Sequence, residues 1–117
     1  MKRDQDFIRQ LLLKYEAEDD WVLMTVGDIF GSSEEERREN YHMHLMMDEG
    51  FLTPIGNGTF RITSYGHDYL EAIRDDTVWA KTKRGALSAG GASLRLMFEI
   101  ASSIVKQKAA EALGLPL

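Results

Sequence analysis

Few side chains among these 117 residues have the type and spacing for chemistry, and the best placed lie in residues 33–52, SEEERRENYHMHLMMDEGFL. A helical wheel advancing 100° per residue gathers Tyr41, His42, Leu45 and Met46 on one arc, with Arg38 and Glu49 at its limits. Glu36, Asn40, Met43, His44 and Met47 fall on the opposite arc, with Ser33 and Arg37 at its edge. The first arc suits a core. On the second, Ser33, Arg37, Asn40 and His44 are outward hydrogen-bonding groups, and Arg and Asn match the edges of guanine and adenine with paired bonds. Met43 and Met47 sit one turn apart on the same arc. Flexible thioethers suit an adaptable protein groove, or packing against another part of the same chain.

Other chemistries find little support. There is no cysteine, which excludes disulfides, thiolate metal sites and cysteine nucleophiles. His42 and His44 point to different faces of a helix, and His67 falls in the first turn of another. His44 and Asp48 lie one turn apart, but two ligands fall short of a metal site. Asp75 and Asp76 are adjacent and so diverge; followed by Thr77 they make a helix break and cap rather than an acid–base pair. The spacing of Gly56 and Gly58 belongs to a turn, without the strand–turn–helix setting of a phosphate loop. No cofactor, metal or catalytic set is expected.

The elements that must position the outward residues can be read from pattern. Phe7, Ile8, Leu11, Leu12 and Tyr15 form the apolar stripe of a first helix over residues 4–18. Trp21-Val22-Leu23-Met24 suits a short buried strand, and Thr25-x-x-Asp28 resembles a capping box opening a short helix over residues 26–30. After Gly31, Ser32-x-x-Glu35 and Ser33-x-x-Glu36 open the long helix, whose acidic start complements the helix dipole and which Gly50 ends. A short helix, a glycine turn and a longer helix make a helix-turn-helix pattern. Phe51-Leu52-Thr53 and Thr59-Phe60-Arg61-Ile62 flank a turn-rich Pro54-Ile55-Gly56-Asn57-Gly58, which reads as a β-hairpin with Asn57 and Arg61 exposed on it. Thr63 or Ser64 caps a further helix carrying Tyr65, Tyr69, Leu70 and Ile73. Thr77 to Lys83 reads as one more turn bearing Val78 and Trp79. The stretch GALSAGG, followed by Ala92, reads as a link, and Ser93 caps an apolar last helix ending near Leu113.

Helix, short strand, helix-turn-helix, hairpin and helix is the order of a winged helix. The run YHMHLMMDEGFL resembles the end of winged-helix recognition helices. The start MKRDQDFIRQLL, Tyr41-His42, ITSYGHDYL and above all IRDDTVWAKTK resemble a bacterial and phage family, domain of unknown function 2513, across most of the chain. That resemblance implies a fold and a compartment, not an activity. The expected fold is α+β and mostly helical: a winged helix-turn-helix domain over residues 1–84, a glycine-rich link over 85–92 and a C-terminal helix over 93–117. That last helix packs on the domain or on a dimer mate.

Charge complicates the function this fold suggests. The net charge is −5, and residues 1–52 hold 6 Lys and Arg against 13 Asp and Glu, about −7, leaving about +2 for residues 53–117. A duplex-binding protein is normally basic where it meets phosphates. The reading is a DNA-binding, transcriptional-regulator-like protein, with Ser33, Arg37, Asn40 and His44 on the recognition helix and Asn57 and Arg61 on the wing. The alternative is a non-enzymatic protein-interaction module using Met43 and Met47. The start lacks the apolar run of a signal peptide and no stretch is apolar for long enough to span a bilayer, so a cytoplasmic protein is expected.

Overall fold

A computed structural model describes residues 1–26 and 31–116. The short helix expected over residues 26–30 therefore lies, apart from Val26, outside the described residues. Those described form five helices and a three-stranded antiparallel sheet, a mostly helical α+β arrangement. They divide into two compact units, Met1–Leu70 and Glu71–Leu117.

The first unit begins with α1, Gln5–Glu16, capped by Asp4, whose carboxylate accepts from the Phe7 amide at 3.0 Å. Its stripe of Ile8, Leu11, Leu12 and Tyr15 is buried, as the apolar spacing requires. β1, Leu23–Met24, pairs with β3, Thr59–Ile62, which pairs in turn with β2, Leu52–Gly56, so β3 is the central strand. Only one side of β1 is covered. Leu23 opposite Phe60 is buried, whereas Met24 is 76% and Trp21 68% exposed. The expected buried strand is thus a two-residue edge strand with one inward side chain.

α2, Glu34–Glu49, has the expected ends. Ser33 Oγ accepts from the Glu36 amide and Glu36 Oε1 accepts from the Ser33 amide, a complete capping box. Gly50 ends the helix with φ 89°, a conformation that glycine adopts without a Cβ penalty. The hairpin turn is tighter than its sequence suggested: the strands run to Gly56 and from Thr59, leaving Asn57-Gly58 at the tip. The Thr25 amide bonds the Gly58 carbonyl at 2.9 Å and ties that tip to the end of β1.

Thr63 joins α2 to α3, Ser64–Ile73. Its hydroxyl donates to the Gly50 carbonyl at 2.5 Å and accepts from the Gly66 amide at 3.0 Å. Gly66 sits where a Cβ would strike the Phe51 carbonyl oxygen and lie 2.9 Å from Ile62 Cγ2, so the close approach requires glycine. Phe51 stacks on Tyr69 with ring centres 4.6 Å apart.

The second unit is a helical hairpin. α4, Asp76–Ser88, is capped by Asp75, and α5, Leu94–Leu113, by Ser93. Asp75 lies 4.0 Å from Lys108 while Gly85 faces Ile100, so the two helices run antiparallel. Val78, Trp79, Thr82, Ala86, Leu94, Met97 and Ala101 are buried. This differs from a turn at Thr77 followed by a link from Gly85. The helix continues through Gly85 because a Cβ there would come within 3.2 Å of Ile100 Cγ2, so this glycine permits close packing rather than a break. The link shortens to residues 89–93, where Gly90 and Gly91 have positive φ. Among the described residues, no helix is long and apolar enough to cross a membrane.

Candidate nucleic-acid interface

The outward face of α2 is set by how its inward face is held. His42 is fully buried, with both ring nitrogens occupied. The Asp4 amide donates to Nε2 at 3.0 Å, so the ring hydrogen is on Nδ1, which donates to the Arg38 carbonyl at 2.8 Å. Phe7 and Tyr41 meet the ring edge-on at 4.9 and 5.2 Å. Arg38 donates to Asp4 Oδ2 at 2.7 Å and lies 3.9 Å over the Phe7 ring. Glu39 accepts from Lys14 Nζ and from the Tyr15 hydroxyl, both at 2.9 Å. Burial first, and then the Glu39 charge and hydrogen bond, push the Tyr15 phenol well above its ordinary range. Packing on α1 thus removes Arg38 and Glu39 from the set of available charges.

What remains outward is Arg37 and His44, both exposed and without an ion-pair partner among the described residues. Asn40 and Tyr41 are half-buried between them. With Met1, these four side chains line an open groove of about 450 Å³. The spacing 37, 40, 41, 44 is one helical stripe. Three expected residues are partly committed elsewhere. Ser33 spends an oxygen lone pair on the cap. Asn40 donates its amide to the Val26 carbonyl at 2.8 Å, which fastens the segment after β1 to α2 and makes it in part a positioning residue. Arg61 is exposed on β3, its guanidinium reaching the Ile62 carbonyl at 3.3 Å; Asn57 is exposed at the hairpin tip.

Met43 requires a correction. It is fully buried, not outward, because α2 packs against α1 on one flank and β2 on another, which widens its covered arc beyond a single face. Met47 is half-buried. The outward methionine pair expected as a protein-binding patch does not form. Tyr41, expected in the core, instead lines the groove; its place between Arg37 and His44 at helical spacing was the available signal. Exposed apolar groups of this unit include Met1 at the groove and, away from it, Trp21, Met24, Ile55 and Tyr65. Among the described residues, no group of three or more His, Asp or Glu comes together to hold a metal ion.

The family described as "Hypothetical protein (DUF2513)" matches residues 2–92. A protein of Haemophilus influenzae described as "Uncharacterized protein" is 30% identical over 116 aligned positions, which cover 92% of this chain and 98% of that protein. No solved structure matches the chain. With the match running from before α1 through the hairpin to past the end of α4, the chain belongs to the DUF2513 family.

Proposed function

We propose that the first unit is a winged helix-turn-helix that binds duplex DNA as a transcriptional regulator, with α2 as the recognition helix and the β2–β3 hairpin as the wing. The observation that carries this reading is the sorting of charge along α2. Arg38 and Glu39 are paired inward, while Arg37 and His44 stay exposed and unpaired at the spacing by which a helix reaches base edges and phosphates. Arg61 and Asn57 on the hairpin supply backbone or minor-groove contacts. The acidic first turn of α2 has its own cause in the capping box and helix dipole, so it is no evidence for a basic ligand.

The test is binding to random and selected duplexes by fluorescence anisotropy across a salt series. A DNA-binding chain loses affinity steeply as salt rises. Arg37→Ala and Arg61→Ala should each weaken binding at least fivefold with an unchanged melting temperature. No binding at any salt concentration refutes the reading, and unchanged affinity in both variants refutes the site.

The exposed Trp21 and Met24 favour a second reading, a non-enzymatic protein-interaction module. They replace Met43 and Met47 as its contact residues. Trp21→Ala and Met24→Ala would abolish partner capture under that reading and leave DNA affinity unchanged.

A further inference from the structure

The segment before α1 runs along α2, and its course is fixed at one end. Asp4 is held three ways: its amide on His42 Nε2, one carboxylate oxygen on the Phe7 amide and the other on Arg38. Three residues earlier, Met1 lines the same groove as Arg37, Asn40, Tyr41 and His44. Lys2 and Arg3 lie between these two points, both exposed and neither with an ion-pair partner among the described residues. Residues 1–3 extend about 10 Å at most, so Lys2 and Arg3 stand within that reach of the outward stripe of α2. Arg37 in the groove and Lys2 and Arg3 within about 10 Å of it are three cations with no ion-pair partner among the described residues, in a unit whose overall charge is negative. The nearest opposing group on the stripe is Glu34, one turn before Arg37.

We propose that residues 1–3 form a basic arm that grips the phosphate backbone of duplex DNA beside the groove entered by α2. The proposal rests on the DNA-binding reading and adds to it the source of affinity. The choice of a polyanion follows from charge: a cationic or acid-seeking partner has nothing to pair with at Lys2, Arg3 and Arg37, whereas successive phosphates do. Because Asp4 anchors the arm before any ligand arrives, less ordering is needed on binding than for a free tail.

The test compares three full-length proteins tagged at the C-terminus: wild type, Lys2→Ala/Arg3→Ala, and a charge-matched control, Lys81→Ala/Arg84→Ala, altered on the exposed side of α4. Each lost phosphate contact lowers the slope of log affinity against log salt by about 0.9, so the arm variant should lose about 1.8 from the slope and bind about 60-fold more weakly at 0.1 M salt. The control should keep the wild-type slope, and all three should melt together because the altered side chains are exposed. If wild type binds and Arg37→Ala weakens it while the arm variant keeps its slope, the arm is refuted and the DNA reading stands. If the arm variant and the control lose slope equally, net charge rather than the arm is responsible, and the proposal fails. If wild type does not bind even at low salt, both fall.

Discussion

His42 offers the most exacting check on the packing that orients α2. Replacing it with leucine keeps most of the volume but removes a hydrogen-bond acceptor from the Asp4 amide and a donor from the Arg38 carbonyl. The Arg38 carbonyl loses little, because an intrahelical bond satisfies it already. The Asp4 amide loses its only side-chain acceptor and sits half-buried. One lost hydrogen bond at about 1 kcal/mol, a further cost of about 1 kcal/mol for the half-buried Asp4 amide left without its acceptor, and a modest loss of edge-on contacts to Phe7 and Tyr41 come to about 2.5 kcal/mol. For a chain of this size that lowers the melting temperature by about 10 °C. Urea denaturation gives the free energy, and hydrogen exchange should show the Asp4 amide losing its protection. Long-range ¹H–¹⁵N correlation on the wild type tests the geometry independently, since it must find the hydrogen on Nδ1. A hydrogen on Nε2, or a leucine variant within about 0.5 kcal/mol of wild type, refutes the reasoning, since the bonds would then contribute less than a typical single bond.

The two structural glycines should separate sharply. Gly66→Ala forces a Cβ into the Phe51 carbonyl and Ile62, a rigid clash expected to cost about 3 kcal/mol, whereas Gly85→Ala should change stability by less than about 1 kcal/mol because better helix propensity offsets a mild push on Ile100; paired thermal melts decide it. Burial and Glu39 raise the Tyr15 phenol above its ordinary value, and burial raises that of Tyr69. The folded state therefore holds these protons more tightly than the unfolded chain. Their contribution is fully present below the ordinary phenol value of about 10 and falls as pH rises beyond it. Tyr15→Phe should flatten that alkaline decline in a stability profile, and an unchanged profile contradicts the assignment. Glu34→Gln with Glu35→Gln should raise duplex affinity about fivefold per charge at low salt, while slightly lowering the melting temperature by weakening the helix-dipole interaction.

What the sequence made legible was chemistry completed within a few residues. Ser33 with Glu36, Gly50 after α2 and Ser93 before α5 each satisfy backbone groups locally, so each marked its boundary, while the turn residues 54–58 marked the hairpin but not the end of β2 at Gly56. What escaped depended on a distant neighbour. Met43 has the polar-arc position of an outward residue, but α1 and β2 cover α2 from two directions. Gly85 looks like a breaker until Ile100 is placed against it. Trp21 and Met24 look like core until β1 is seen to be an edge strand of two residues. The groove along α2 was hidden for the same reason: residues 1–3 are brought to it by the bonds of Asp4 to His42 and Arg38, 38 and 34 positions away.

That long-range bond bears on how an acidic unit could meet a polyanion. Exposed charges farther apart than about 8 Å are largely screened at physiological salt, so the overall sign of a domain matters less than the arrangement within one contact surface. On α2 alone that arrangement is acidic, with Arg37 set against Glu34 and Asp48 on the same stripe. The inward pairings of Arg38 with Asp4 and Glu39 with Lys14 subtract one charge of each sign and leave the balance as it was. Lys2 and Arg3 shift it, and they do so because the same carboxylate that neutralises Arg38 also anchors the segment that carries them. Asp4→Asn should therefore weaken the Arg38 ion pair while keeping the cap and the amide bond to His42. Under this account it keeps the salt slope that Lys2→Ala/Arg3→Ala loses. An Asp4→Asn variant that loses as much salt slope as the arm variant would place the effect in arm orientation rather than in direct phosphate contact.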